Sequence, residues 1–432
     1  MFYSRILMVA GGFIIAAPAS VLAVPATTPV QIELSHRLDE VRAERLVPLI
    51  DSFNKQNKDV QVTLVRRGEG DAPKQLNLVS REEYSRFVAN KAQFKPLHAV
   101  MREAKEKFDA SKLSPELRDG LSDSKGQLFA LPVAFSTPVL YINKALFRTA
   151  GLDPENPPRT WAQAQEAAGK LADSGNRCPF TTSWPVQVFI DNVSAWNGAE
   201  VNDAKGKLAF NGLAQVKHIA MMATWYKSKY FSYFGPKDEA DNRFARGDCG
   251  MLTSSSSLFA SLNGDKSLEV GVSPLPYHDD VYGAPKNTLA DGSSLWIANG
   301  MKPAETKGVA KFVNYVLGPE IQITLTLAGG YLPMTPVARA AASTKLLGAD
   351  LGGLKIAYDQ LQGKGASPKV RVAQIEPVRQ IVEEELETVW ADKKPAKEAL
   401  DSAVERGNAA MLKIAAVDQS KVAEKSKGRA KK

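Results

Sequence analysis

Cysteine and histidine are scarce here: of 432 residues, two are cysteine and four are histidine. His36, His98, His218 and His278 form no His-Glu-x-x-His pair, and none lies at zinc-ligand spacing from Cys178 or Cys249. No metal or cofactor is therefore expected. The chain also lacks a Gly-x-x-x-x-Gly-Lys-Ser/Thr loop, a Gly-x-Gly-x-x-Gly fingerprint and a Gly-x-Ser-x-Gly elbow. Those absences remove the usual signatures of nucleotide binding and of serine hydrolases. Carboxylate-pair enzymes leave no such signature, but the prior for catalysis falls and a binding role rises. Past the first residues, no stretch reaches the roughly 20 apolar residues that span a bilayer.

Charge of one sign is missing too. Lys and Arg number 55 against 47 Asp and Glu, for a net charge of +8. Much of that excess collects in Lys421, Lys425, Lys427, Arg429, Lys431 and Lys432, opposed there by Glu424. The body is nearly balanced, so no nucleic-acid surface is expected, and 416–432 reads as a basic flexible tail. Hydrophobic residues at 44% and charged residues at 24% supply an ample core, and the length suits two or three domains.

What is present begins with an export signal. Arg5 precedes the apolar run Ile6 to Ala17, and Val21-Leu22-Ala23 places small residues at −3 and −1 of a cleavage site. Residues 1–23 are expected to be a signal peptide cut before Val24, delivering the mature chain to the periplasm. In an oxidising compartment Cys178 and Cys249 can pair, and two buried free thiols are the alternative.

The mature chain then alternates strand and helix. Val30, Ile32 and Leu34 alternate with polar residues, as do Val60, Val62 and Leu64, and Leu76 with Leu78. Between the first two, Ala43, Leu46, Val47, Ile50 and Phe53 recur at helical spacing, bent or broken at Pro48. Strand–helix–strand units of this length imply parallel strands and an α/β domain. Thr160 and Gln163 form a capping box opening a helix from Trp161 to about Ser174, ended by Gly175. Further helices are expected over Val216–Tyr226, from Pro377 through Trp390, and from about Ala396 to Ile414.

Polar turns punctuate these elements. Ser136-Thr137-Pro138, Ser254 to Ser257, Asp291-Gly292-Ser293-Ser294 and Gly329-Gly330-Tyr331 carry hydroxyls and free backbone N–H groups between apolar segments. Such turns suit an anionic or polyol ligand, and singly each is also an ordinary turn.

Several turns belong to longer blocks. Ser136-Thr137-Pro138-Val139-Leu140-Tyr141 with Asn143-Lys144, then Ala150-Gly151-Leu152-Asp153-Pro154 with Pro157-Pro158 and Thr160-Trp161, resemble the extracellular solute-binding proteins of ABC importers. Ser194-Ala195-Trp196-Asn197-Gly198, Gly247-Asp248-Cys249, Gly330-Tyr331-Leu332-Pro333 and Glu384-Glu385-Leu386-Glu387 with Val389-Trp390 extend the match, with gaps, from His36 to Met411. Within the family the blocks are similar to receptors for sn-glycerol 3-phosphate.

The resemblance implies a two-lobed α/β fold of the maltose-binding-protein type (class II), with several interlobe crossings. These are expected at Ala134–Pro138, near Ala290–Ser293 and near Tyr331–Pro336. One lobe would comprise 24–134 plus about 292–331, the other about 138–290 plus 335–415. It implies a monomeric, non-enzymatic receptor that hands its ligand to membrane permease subunits driven by a cytoplasmic ATPase. The ligand implied is a small phosphorylated polyol: sn-glycerol 3-phosphate or a glycerophosphodiester such as glycerophosphocholine. By matching position its contacts fall on Glu82, Ser136, Trp184, Ser255, Gly292, Tyr331 and Arg379.

Physical roles can be given to each. Arg379, in the first turn of the helix opened by Pro377, suits a phosphate. The hydroxyls of Ser136, Ser255 and Tyr331 and the Gly292 N–H are donors, and Glu82 is an acceptor. Trp184 would cover an apolar glycerol face or a choline ammonium. One departure stands out. Relative to the family pattern, Arg66–Leu76 is shorter and lacks a helix and a ligand-contacting tyrosine, and Arg66 or Arg67 is the candidate replacement contact. The competing readings are a receptor for a neutral sugar or other polyol, and a secreted glycerophosphodiester hydrolase.

Overall fold

The computed structural model describes residues 28–38, 40–68, 70–80, 83–118, 121–123, 125–262, 267–345, 352–362 and 371–429. The expected signal peptide, Glu82 and the last three residues lie outside these.

The alternating segments form strands where expected. Ten strands build two five-stranded sheets: β1 Val30–His36, β2 Val60–Arg66, β3 Leu76–Val79, β4 Leu131–Ser136, β5 Pro138–Asn143, β6 Phe180–Thr182, β7 Phe231–Ser232, β8 Met251–Ser255, β9 Val270–Pro274 and β10 Asp291–Ile297. The first sheet has the order β2-β1-β3-β10-β4 and the second β7-β6-β8-β5-β9. In each, parallel strands are joined by an antiparallel strand: β10 between β3 and β4, and β5 between β8 and β9. The chain thus leaves the first sheet at Ser136 and enters the second at Pro138, with Thr137 alone between them. It returns after β9 to supply β10.

Helices cover the sheets by their apolar faces. Pro48 starts the helix Val47–Gln56, separated from Glu40–Glu44 by a two-residue turn, as a proline in a helical pattern dictates. Its Leu49, Ile50 and Phe53 are buried, and Phe53 meets Phe312 of the helix Pro303–Val316 edge-to-face at 5.1 Å between centroids. Burying each such ring stabilises by roughly 1.5–3 kcal/mol. Around the second sheet, Trp161 anchors the helix Trp161–Asp173 against Phe180, Phe189 and Trp225. Both halves of the capping box are formed: Gln163 N donates to Thr160 Oγ1 at 3.2 Å, and Thr160 N to Gln163 Oε1 at 3.3 Å.

The Cys178–Cys249 disulfide is present, with 4.5 Å between Cα atoms. It links the residues leading into β6 and β8, neighbouring parallel strands. The last helix differs from expectation. It runs from Ala396 past Ile414 to Arg429, so the segment expected as a flexible tail is helical over most of its length. Beyond Ile414 the sequence offers alanine, glutamine, glutamate and lysine with no proline, a composition of good helix formers.

A cleft between the two sheets

The strand ends that change sheets bring a set of polar groups together. Ser136 closes β4 and Ser255 closes β8, and the pairing of β5 with β8 sets Pro138 opposite Ser255. The two hydroxyls consequently meet, Oγ to Oγ at 2.6 Å, and Ser257 Oγ lies 2.7 Å from Ser255 Oγ. Tyr141 fixes the strand end by donating its hydroxyl to Ser255 O at 2.8 Å.

These hydroxyls line a cleft of about 580 Å³ whose wall also includes Ser80, Trp184, Asp241, Gly292, Ser293 and Tyr331. Five of the seven residues singled out in the sequence, Ser136, Trp184, Ser255, Gly292 and Tyr331, are therefore gathered in one place. Hydroxyls are donor and acceptor at once, so this wall can turn to meet an anion or a polyol.

Backbone strain concentrates on the same wall. Trp184 (φ 54°) and Ala134 (φ 46°), two of the described non-glycine residues in the left-handed region, both line the cleft. Such conformations cost of order 1–3 kcal/mol each and cluster at ligand sites. Trp184 N donates to Lys237 O at 2.8 Å, and a fully buried π-helical segment, Val186–Asn192, follows Pro185. That segment clamps two returning chains. Asn192 Oδ1 accepts from Leu289 N at 2.8 Å, while the Asp191 carboxylate accepts from Val372 N and Ala373 N at 2.8 and 2.9 Å. Burial pushes the Asp191 carboxyl up to about 7, against those two donors and Arg371.

Gly292 has no room for a side chain. A Cβ there would lie 2.5 Å from Phe135 Cα and would also strike the Ala134 carbonyl. Its N–H, expected as a ligand donor, donates to Asp291 Oδ1 at 2.7 Å. Gly330 ends the helix Pro319–Gly329 in the left-handed conformation (φ 65°), where a Cβ would meet Ser257 O. This turn delivers Tyr331 to the cleft.

The remaining expected residues lie elsewhere. Glu82 is outside the described residues. Arg379 is not on the cleft wall. Its guanidinium is buried, with Nη1 donating to Glu383 Oε1 at 2.6 Å and Nε without a hydrogen-bond partner. Burial raises the Glu383 carboxyl, and Arg379 opposes that shift. The side chain lies within the buried face of its helix, with Val378 and Val382.

Of the two arginines offered as replacement contacts, neither reaches the cleft wall. Arg67 is buried. Its Nη1 donates to Ser35 Oγ at 2.7 Å and its Nη2 to Glu83 Oε1 at 2.6 Å, with the guanidinium over the Phe87 ring. Arg66 is exposed at the end of β2. Asp241 was missed in the sequence. It lines the cleft and accepts from Ser183 Oγ at 2.6 Å and Ser254 Oγ at 2.7 Å, tying the residue after β6 to β8. No local pattern announces an aspartate held by two serines 58 and 13 residues away.

Among the described residues no cluster of three or more His, Cys, Asp or Glu could hold a metal, and no helix is long and apolar enough to cross a membrane.

Comparison with known proteins agrees with this geometry. Residues 48–348 match the model of the bacterial extracellular solute-binding proteins. The sn-glycerol-3-phosphate-binding periplasmic protein UgpB of Pectobacterium atrosepticum is 36% identical over 404 residues, covering 88% of this chain and 90% of its own length. Among solved structures, UgpB from Mycobacterium tuberculosis in complex with glycerophosphocholine superposes with a TM-score of 0.73 at 20% identity, covering 89% of this chain and 98% of that one. The maltose-bound MalE3 of T. maritima gives 0.71 at 18%, covering 88% and 99%. The expected maltose-binding-protein type of fold is thereby met.

Proposed function

The chain belongs to the bacterial extracellular solute-binding proteins, and from that membership we propose that it is the periplasmic receptor of an ABC importer for sn-glycerol 3-phosphate or a glycerophosphodiester. The observation that carries the reading is the convergence of Ser136, Trp184, Ser255, Gly292 and Tyr331 on one cleft between the sheets. The names of the relatives agree with it: one is a sn-glycerol-3-phosphate-binding protein, and a structural neighbour holds glycerophosphocholine.

In this reading the Ser136, Ser255 and Tyr331 hydroxyls donate to the ligand's oxygens, and the Trp184 ring covers its carbon skeleton. Glu82 accepts from a glycerol hydroxyl. For Arg379 to meet a phosphate it must exchange Glu383 for the ligand, and for the Gly292 N–H to do so it must leave Asp291. The first sheet with its helices, 24–134 plus about 292–331, forms one lobe, and about 138–290 plus 335–415 forms the other. Ligand bridging the two favours their closed arrangement through contacts made only there. The loaded monomer docks on the permease subunits, which a cytoplasmic ATPase drives.

Catalysis is not part of the proposal.

Calorimetry on the mature chain tests this. sn-Glycerol 3-phosphate or glycerophosphocholine should bind one to one while maltose does not, and diesters should be recovered intact by phosphorus NMR. Binding of maltose alone would overturn the phosphorylated-ligand reading.

A further inference from the structure

We propose that Arg45 is an anion-contacting residue of the cleft, supplying from the first-sheet side the charge that meets the ligand's phosphate. The inference rests on the phosphorylated-ligand reading above and adds to it a residue that the family pattern did not mark.

Arg45 sits in the turn between the helices Glu40–Glu44 and Val47–Gln56. The turn is closed by Leu46 N donating to Ala43 O and Ile50 N to Leu46 O, at 2.9 and 3.1 Å. Pro48 forces the interruption, and the interruption frees Arg45 from either helix face. Its side chain is exposed and lines the cleft, with Nη2 3.4 Å from Ser261 Oγ on the opposite wall. Ser261 lies in the short helix Phe259–Leu262 that follows the Ser254–Ser257 run, and it lines the cleft with Ser255 and Ser257.

Charge makes the assignment specific. Among the described residues lining the cleft, Arg45 is the one cation, and Asp238 and Asp241 are the anions. A phosphate entering there is drawn to that guanidinium by a charge-assisted contact. Arg67 is committed to Ser35 and Glu83, Arg379 to Glu383, and Arg66 points off the end of β2 into solvent. A 3.4 Å contact between an exposed guanidinium and a hydroxyl is weak, so Arg45 can turn from Ser261 to an anion at little cost. The resulting charge-assisted, two-pronged contact is the stronger one. The wall lost with the shortened Arg66–Leu76 connection is thus rebuilt from a different part of the same lobe.

The test is calorimetry on the mature full-length chain with sn-glycerol 3-phosphate and glycerophosphocholine, using the parent, Arg45→Ala and Arg45→Lys. Arg45→Ala should weaken binding tenfold or more and flatten its dependence on salt. Arg45→Lys should retain part of the affinity, since the charge stays and the planar fork goes. Both variants should melt with the parent, because the side chain is exposed and makes no buried contact. If the parent binds and Arg45→Ala binds within twofold of it, the assignment of Arg45 is wrong while the ligand reading stands. If the parent binds neither compound, the ligand reading itself fails and takes the inference with it.

Discussion

Replacing Gly292 by alanine tests how tightly the cleft wall is built. An alanine Cβ would lie 2.5 Å from Phe135 Cα and 2.7 Å from Phe135 Cβ. Ordinary carbon–carbon contacts begin near 3.5 Å, so β10 must move away from β4 by about 1 Å. The obstruction is the backbone of β4, so no side-chain rotation relieves it. Overpacking of this kind costs roughly 1–3 kcal/mol, and the usual gain of about 0.5–1 kcal/mol from replacing a strand glycine offsets only part. A net loss of about 1–2 kcal/mol is expected in urea denaturation. The effect on binding should be at least comparable to that on folding. Asp291 is paired with Ser136 across this ladder, so the same displacement pulls the Ser136 hydroxyl from its 2.6 Å contact with Ser255. Calorimetry should then show affinity reduced tenfold or more. A variant with the parent's urea midpoint and affinity would refute the argument, because it would mean that β4 and β10 yield freely at the point where they are drawn closest.

Three further outcomes follow from the same structure. Cys178→Ala with Cys249→Ala opens a loop of 71 positions and should cost about 4 kcal/mol in urea denaturation, as a loop of that length does in the entropy model. The affinity should persist, because β6 and β8 stay paired, and an unchanged denaturation midpoint would contradict it. Arg379→Ala leaves Glu383 half-buried without its partner and should lower stability by about 3 kcal/mol. Adding Glu383→Gln, which strands no charge, should recover part of this, and an Arg379→Ala chain as stable as the parent would exclude the pair. Acid should destabilise the fold between pH about 6.5 and about 4. Burial lowers His218 well below 6.5 and His278 to about 4, so the unfolded chain takes up these protons first. Burial lowers His36 as well, while Asp191, raised to about 7, and Glu383, also raised by burial, work the other way, so three histidines stand against two carboxyls. Denaturation midpoints that rise on acidification across that window would show the sign to be wrong.

How much of this was legible in the sequence depends on the range of the interaction. The capping box at Thr160, the interruption at Pro48 and the alternation in β1 and β2 are decided within a few residues, and they are met as read. The cleft turns at Ser136, Ser255, Gly292 and Tyr331 were found because glycine and serine mark turns and because blocks around them match a family. Arg67, Arg379 and Asp241 show where reading stops. Each carries a charge whose partners come from other elements or from a helix face whose burial tertiary packing sets. Arg67 looked like a ligand contact and is a core residue held by Ser35 and Glu83. Arg45 reaches the cleft through a two-residue turn, and nothing in the residues around it announces that placement.

The single residue between β4 and β5 has a mechanical consequence. Thr137 is fully buried, and its Oγ1 lies 2.8 Å from Thr288 Oγ1 and 3.0 Å from Leu289 O, so the outgoing and returning chains are fastened side by side. Were one sheet to rotate against the other as the proposed closure requires, this fastening is where the motion would be most restrained. Ser136 is its immediate neighbour and Ser255 touches Ser136, so the hydroxyls sit close to it, at the short end of the lever. Arg45 and Ser261 are exposed at the rim of the cleft, where such a rotation would sweep the longer arc. Under the proposed closure the two tasks would separate by radius: groups near the fastening would keep their geometry whatever the opening, and groups at the rim would feel every degree of it.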